Sequence, residues 1–227
     1  MSFYKETLGY VLHQKDYKNS SMIIEFFSQD CGMLHLIAKG IKNNKLLKSQ
    51  IHYFSLLKIQ YYGKSSLKTV TSINLIKLQK FDNIIERTAG LYLNELLHYS
   101  LSEFEQADNL YQSYQNALSK LGTIKLTPIL REFELQLLKH SGFELSINSN
   151  IIDSDWIGID EHEGVTVASI DSKKLCKNSD LKKFLSHQNL SKEERKRINK
   201  FMVQAIDMSL NFRKIYTREM LKTLTSH

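Results

Sequence analysis

The chain has 227 residues, 42 % of them apolar and 24 % charged, with a single proline. This is ordinary globular composition with enough chain for a buried core, so collagen, a whole-chain coiled coil and extended disorder are excluded. The formal charge is +7, and it is unevenly spread: residues 1–80 hold 12 basic and 4 acidic side chains, residues 81–186 hold 10 and 16, and residues 187–227 hold 9 and 4. A basic front, an acidic middle and a basic tail favour a polyanionic partner, nucleic acid or an anionic membrane surface. No run of about 18 apolar residues is present, so no transmembrane helix is expected. Met1–Leu12 includes Lys5 and Glu6 and lacks the apolar stretch of a signal peptide, which points to the cytoplasm. Two cysteines, Cys31 and Cys176, are too few for a disulfide framework or a structural zinc site.

The front reads as strands. Leu8, Tyr10 and Leu12 alternate with their neighbours, as do Met22, Ile24 and Phe26, and then Leu34, Leu36 and Ala38. A longer run, His52–Tyr62, places Tyr53, Leu57, Ile59 and Tyr61 on one face, and Leu67–Ile76 alternates again. Turn signals separate the runs at Lys18-Asn19-Ser20, Asp30-Cys31-Gly32, Asn43-Asn44 and Gly63–Ser66. Five short strands, expected to be antiparallel, suit the five-stranded oligonucleotide-binding barrel, the OB-fold.

From Phe81 the period becomes helical. Ile84, Thr88, Leu91 and Glu95 lead to Leu101, and Leu110, Tyr114, Ala117 and Leu121 mark a second helix. Thr127-Pro128 is expected to cap and open a third, with Leu130, Phe133 and Leu137 facing inward and Gly142 ending it. Ser191-Lys192-Glu193-Glu194 has capping-box spacing, and Ile198, Phe201, Met202, Ala205, Ser209 and Phe212 form the apolar stripe of the helix it opens. Lys192, Lys196 and Lys200 lie on the opposite face. Between these helices, Trp156–Ile159 and Val165–Ile170 read as short strands or loops. The fold class is therefore α+β, with a barrel over 1–80 and a mostly helical domain over 81–227 that carries a small strand-like insertion at about 145–175.

No catalytic constellation is legible. Gly63-Lys64-Ser65 resembles the end of a phosphate-binding loop, but Lys58 stands where its first glycine belongs. The eight histidines show no HxxxH or HExxH spacing. Asp160, Glu161 and Glu163 beside His162 read as an exposed acidic loop. A metal-dependent hydrolase using Asp153, Asp155, Asp160 and Glu161 is the weakest of the readings weighed. The expectation is a protein that is not an enzyme and needs no cofactor.

The binding signals are stronger. Lys39, Lys42, Lys45 and Lys48 fall within ten residues between the third and fourth strands, and Lys15, Lys18, Lys58, Lys64 and Lys68 belong to the same barrel. Flexible ammonium groups neutralise phosphates without needing bases in register. Arginine is absent before Arg87, so bidentate base reading is not expected and binding should be sequence-tolerant and salt-sensitive. Tyr17, Tyr53, Tyr61 and Tyr62 lie among these lysines as candidates for base stacking or, for most of them, core packing.

Several segments in order resemble the bacterial recombination mediator family RecO: Gly9–Ser21, Phe26–Leu34, Ala38–Lys42, Leu67–Thr71, Gly90–Leu97, Leu130–Leu138 with Ser141-Gly142-Phe143, and Thr217–Met220. The resemblance implies a DNA-repair and recombination protein without enzymatic turnover. It implies binding of single- and double-stranded DNA and annealing of complementary strands. It also implies association with the partner RecR and with the acidic C-terminal tail of single-stranded-DNA-binding protein, so that RecA is loaded on coated DNA at the nucleoid. Arg131 stands at the arginine of the family's Leu-Arg-x-Phe-Glu-Leu motif and is implicated in tail binding, with Lys196 and Arg197 as a second basic element. The plain alternative for Arg131 is a salt bridge to Glu132 or Glu134. Many members carry a four-cysteine zinc module after the central helix; residues 145–175 have no cysteine, which resembles the zinc-free branch. The alternative function weighed is an OB-fold nucleic-acid-binding subunit of an RNA-processing assembly.

Overall fold

The computed structural model describes residues 4–145, 150–160, 164–168 and 175–225. Two units emerge, Met1–Phe133 with Ile215–His227, and Glu134–Lys214.

In the first unit, strands β1 (Lys5–Tyr17), β2 (Ser21–Ser28), β3 (Gly32–Ala38), β4 (Leu56–Tyr62) and β5 (Leu67–Lys77) close a barrel in the order β1-β2-β3-β5-β4. The inward residues are those that the alternation selects: Val11, Ile24, Phe26, Leu34, Leu36, Leu57 and Ile59 are fully buried. Each such side chain contributes roughly 1.5–3 kcal/mol relative to exposure. The expected all-antiparallel arrangement is corrected at one seam. β3 and β5 run parallel, with Leu36 opposite Lys68. The reason is topological: an odd number of strands cannot alternate direction all the way round a closed ring. The fourth strand is also shorter than the His52–Tyr62 run, because Phe54 adopts φ 66°, which no strand tolerates. Tyr53 makes only an isolated bridge to Val11.

Helices α2 (Ile84–Ser100), α3 (Asp108–Lys120) and α7 (Tyr216–Thr225) belong to the same unit, and a short α1 (Lys45–Lys48) lies between β3 and β4. The outward side of β1–β3 is covered. Phe27, on the outside of the barrel, meets Tyr111 at 5.2 Å between ring centroids, and Tyr10 meets Tyr114 at 5.2 Å. Buried Asn94 donates to the carbonyls of Val11 (3.3 Å) and Leu12 (3.1 Å) and accepts from Tyr114 Oη at 2.6 Å. Glu95 on α2 accepts from the backbone N–H groups of Tyr216 (3.0 Å) and Thr217 (2.9 Å), satisfying donors at the start of α7 that the helix itself leaves unpaired.

α4 spans Leu126–His140 and α5 spans Asn178–Leu185. α4 starts one residue before the expected Thr127 cap, so Pro128 sits inside its first turn, where a missing N–H costs nothing. In the second unit β6 (Trp156–Asp160), β7 (Gly164–Val167) and β8 (Cys176–Lys177) form a sheet in the order β7-β6-β8. α6 (Lys192–Ser209) opens on the expected capping box: Ser191 Oγ accepts from Glu194 N at 3.3 Å, and the Glu194 carboxylate accepts from Ser191 N at 2.7 Å. The Lys183 ammonium and the Ser191 contacts hold the Glu194 carboxyl down to about 2. Ile198, Phe201, Met202 and Ala205 face inward as expected, but Phe212 does not: α6 ends at Ser209, and Phe212 is 62 % exposed with φ 55°. Glu161, His162 and Glu163, and the expected run beyond Ala168 as far as Ile170, lie outside the described residues.

Candidate nucleic-acid interface

The strand register divides the basic residues between two ends of the barrel. Tyr17 pairs with Ser21 and Met22 with Ala38, so the β1–β2 turn and the segment after β3 share one end. Lys5 pairs with Tyr61, and Tyr62 with Thr69, which puts the β4–β5 hairpin at the other.

At the first end, Gly40 turns the chain with φ 69°, Ile41 inserts into the barrel with no exposure, and Asn44 Oδ1 caps α1 by accepting from Leu47 N at 3.0 Å. Lys42 N donates to Ser20 O at 3.0 Å, tying this segment to the β1–β2 turn. The apolar plug faces in and the lysines face out. Lys15, Lys18, Lys39, Lys45 and Lys48 are exposed, and among the described residues none of them has an ion-pair partner. Lys18 rests 5.4 Å from the Tyr17 ring centroid. Lys42 differs: it is half-buried, 2.9 Å from Asp16 Oδ2, and reaches the Lys18 carbonyl at 3.5 Å. Lys58 is likewise paired, with Glu6 at 2.5 Å.

At the second end, Lys64 is exposed in the hairpin, and Lys68 donates to Ser65 O at 2.6 Å while lying 5.0 Å from the Phe104 ring centroid. Phe104 has no counterpart among the residues singled out in the sequence, because it lies in the irregular segment between α2 and α3 and shows no period.

The tyrosines separate by burial. Tyr61 is core, its hydroxyl 3.8 Å from Cys31 Sγ, and burial raises its pKa. Burial raises that of Tyr53 as well, against hydrogen bonding to Gln14. Tyr17 and Tyr62 are half-buried, and Tyr62 packs edge-on against Tyr4 at 5.8 Å.

Arg131 is half-buried on α4 in the first unit and is not a free cation; its neighbour Glu132 pairs with Lys120 at 2.8 Å. Lys196 and Arg197 lie on α6 of the second unit in different situations. Arg197 is locked to Asp180. Lys196 is exposed on the rim of a groove of about 1270 Å³, with Lys192 and Lys200 beside it and Leu175, Val203 and Phe212 supplying apolar surface. Glu193 and Asp207 also line it, so the groove is basic in balance rather than purely cationic.

The two cysteines of the chain cannot supply the ligands of a four-cysteine zinc module. Burial and the charge of Asp180 push the Cys176 thiol up to about 12, unlike a thiolate ligand. Among the described residues no three His, Cys, Asp or Glu side chains are grouped as metal ligands, and no helix is long and apolar enough to cross a membrane.

Comparison with known proteins gives a consistent result. Residues 1–79 match the family model for the N-terminal part of recombination protein O, and residues 82–153 match the model for its C-terminal part. A DNA repair protein RecO of Idiomarina loihiensis is 29 % identical over 227 aligned positions, covering 93 % of this chain and 95 % of that one. One of Actinobacillus pleuropneumoniae serotype 7 is 26 % identical over 95 % of this chain and 94 % of its own length. One of Glaesserella parasuis serovar 5 is 34 % identical over 138 residues, 60 % of this chain and 58 % of that one.

Proposed function

This chain belongs to the recombination protein O family of DNA-repair proteins, and from that premise we propose that it is a non-enzymatic recombination mediator acting in the cytoplasm at the nucleoid. It binds single- and double-stranded DNA and anneals complementary strands. With RecR it helps load RecA on DNA coated with single-stranded-DNA-binding protein. The observation that carries this reading is the end of the barrel where Lys15, Lys18, Lys39, Lys45 and Lys48 are exposed with no acidic partner among the described residues, around a buried plug at Ile41. Annealing requires two negative strands to be neutralised together while their base edges stay free. Lysines do this; arginine forks in the major groove do not. Lys64 and Lys68 extend the cationic surface to the other end of the barrel.

The acidic tail of the coating protein ends in an apolar side chain and a carboxylate. Its receptor needs apolar surface with a cationic rim. The α6 groove offers that combination through Val203 and Phe212 beside Lys192, Lys196 and Lys200. Arg131 is retained as the family-motif candidate, and Arg197 serves the groove indirectly by holding α6 to α5.

The test is annealing of two complementary oligonucleotides coated with the cognate single-stranded-DNA-binding protein. Acceleration by the wild type, reduced by Lys39/Lys45/Lys48→Gln on bare strands, and reduced by Arg131→Ala or Lys196→Glu only on coated strands, is expected. No acceleration on either kind of strand would sink the reading.

A further inference from the structure

Phe104 is a bulky residue at φ 60°, a left-handed conformation that costs of order 1–3 kcal/mol for such a side chain. The residue is nevertheless 48 % exposed rather than buried in return. Strain of this kind persists only where the surroundings over-determine it, and here they do. Phe104 N donates to Met33 O at 3.2 Å. Glu103, one residue before, hydrogen-bonds His35 on β3. Glu105 N donates to Ser102 O at 3.4 Å, and its carboxylate accepts from Ser102 N at 3.3 Å. The segment lies so close to β3 that a Cβ added at Gly32 would fall 1.8 Å from Glu105 O. Both acidic neighbours of Phe104 are thus engaged locally, while the cation nearest its ring is Lys68, 5.0 Å from the centroid. Lys64 is exposed two residues beyond Tyr62 on the same hairpin.

We infer that Phe104 is a stacking platform for one base of single-stranded nucleic acid, with Lys64 and Lys68 neutralising the flanking phosphates. The inference rests on the nucleic-acid reading above and adds a site at the hairpin end of the barrel. A rigid, exposed aromatic beside lysines is what sequence-tolerant single-strand binding uses, because every base has a π-face. It is also a site that the covered outer faces of β1 and β2 cannot supply, since Phe27 and Tyr10 are taken up by Tyr111 and Tyr114.

The decisive variant is Phe104→Gly. Glycine adopts positive φ without strain, and that relief offsets the chain entropy it adds, so this variant is expected to fold while losing the ring. Binding is read by fluorescence anisotropy with a labelled oligothymidylate and with an abasic oligonucleotide of equal length. Phe104→Gly is expected to weaken oligothymidylate binding roughly five- to hundredfold, the loss of one stacked base. Abasic binding and the salt slope should be unchanged, and Phe104→Trp should restore binding. Equal oligothymidylate affinity for wild type and Phe104→Gly overturns the platform alone. Equal losses on both probes overturn it too, by showing that the ring acts through the phosphates or the fold. A wild type that binds neither probe overturns the nucleic-acid reading and this site with it.

Discussion

Arg197 holds Asp180 with two hydrogen bonds, Nε to Oδ2 at 2.7 Å and Nη2 to Oδ1 at 3.0 Å. The Asp180 side chain is 2 % exposed and that of Arg197 25 %. Asp180 also accepts from Lys177 N at 3.0 Å at the start of α5, so one carboxylate joins β8, α5 and α6.

Removing the arginine leaves a buried carboxylate uncompensated. Arg197→Ala is expected to destabilise the second unit by about 3 kcal/mol, measured by urea unfolding. Arg197→Met with Asp180→Leu should recover much of that loss, because replacing both partners removes the stranded charge. A single variant as stable as the wild type would show that the pair is ornamental.

Part of the acid sensitivity should trace to Glu25, which is 9 % exposed and bonded to His98 Nδ1 at 2.6 Å. Burial pushes its carboxyl up, but the His98 hydrogen bond and the positive charges of His98, His13 and His35 outweigh burial and hold it below its ordinary value. A depressed carboxylate contributes stability that is present above its unfolded value, 4.5, and is lost as pH falls through the lower folded one. The unfolding midpoint of the wild type should therefore drop as pH falls below about 4.5, and that of Glu25→Gln should change less in the same window. Parallel curves would remove Glu25 from the account.

The lysines should not be equivalent. Lys39/Lys45/Lys48→Gln is expected to flatten the log–log salt slope of single-strand binding by about 2, at roughly 0.7 per phosphate contact. Lys42→Gln should change it less than any one of those three singly, because Asp16 already claims its ammonium. Titrations of oligonucleotide binding between low and moderate salt decide this, and an equal effect at Lys42 would contradict the pairing.

Gly32→Ala is expected to cost about 2–4 kcal/mol, combining positive φ with a backbone clash. Glycine stands there at φ 65°, and the added methyl would meet Glu105 O at 1.8 Å. Thermal or urea unfolding measures the loss. The same variant should disturb Phe104 by pushing the 102–105 segment off β3.

The barrel was legible because a strand's period of two places Val11, Ile24, Phe26, Leu34, Leu36, Leu57 and Ile59 on one side whatever their partners are. The α6 cap was legible for a similar reason: Ser191 and Glu194 satisfy each other's orphan N–H groups within four residues. The parallel β3–β5 seam was not, since it follows from closing the ring and not from either strand. The extent of β4 was missed because apolar identity continues through Tyr53 and Phe54, while the backbone of Phe54 breaks away. α5 and α7 were missed as well; each is short, and their ends are held by distant groups, Glu95 in the case of α7.

The sequence by itself determined the family of this chain and the basic, strand-rich character of its front half. Lysine-rich turns without arginine and a two-period front half are local properties, and so are the ordered segments that resemble its family. Only the tertiary structure decided which charges are available. Lys42, Lys58 and Arg197 look like Lys39 and Lys196 in the chain, but Asp16, Glu6 and Asp180 reach them only after folding. The exposure of Phe104 was decided there too, by β3 holding a strained loop open at Met33 and Gly32. Pairing and strain depend on partners far apart in sequence, and no local pattern records them.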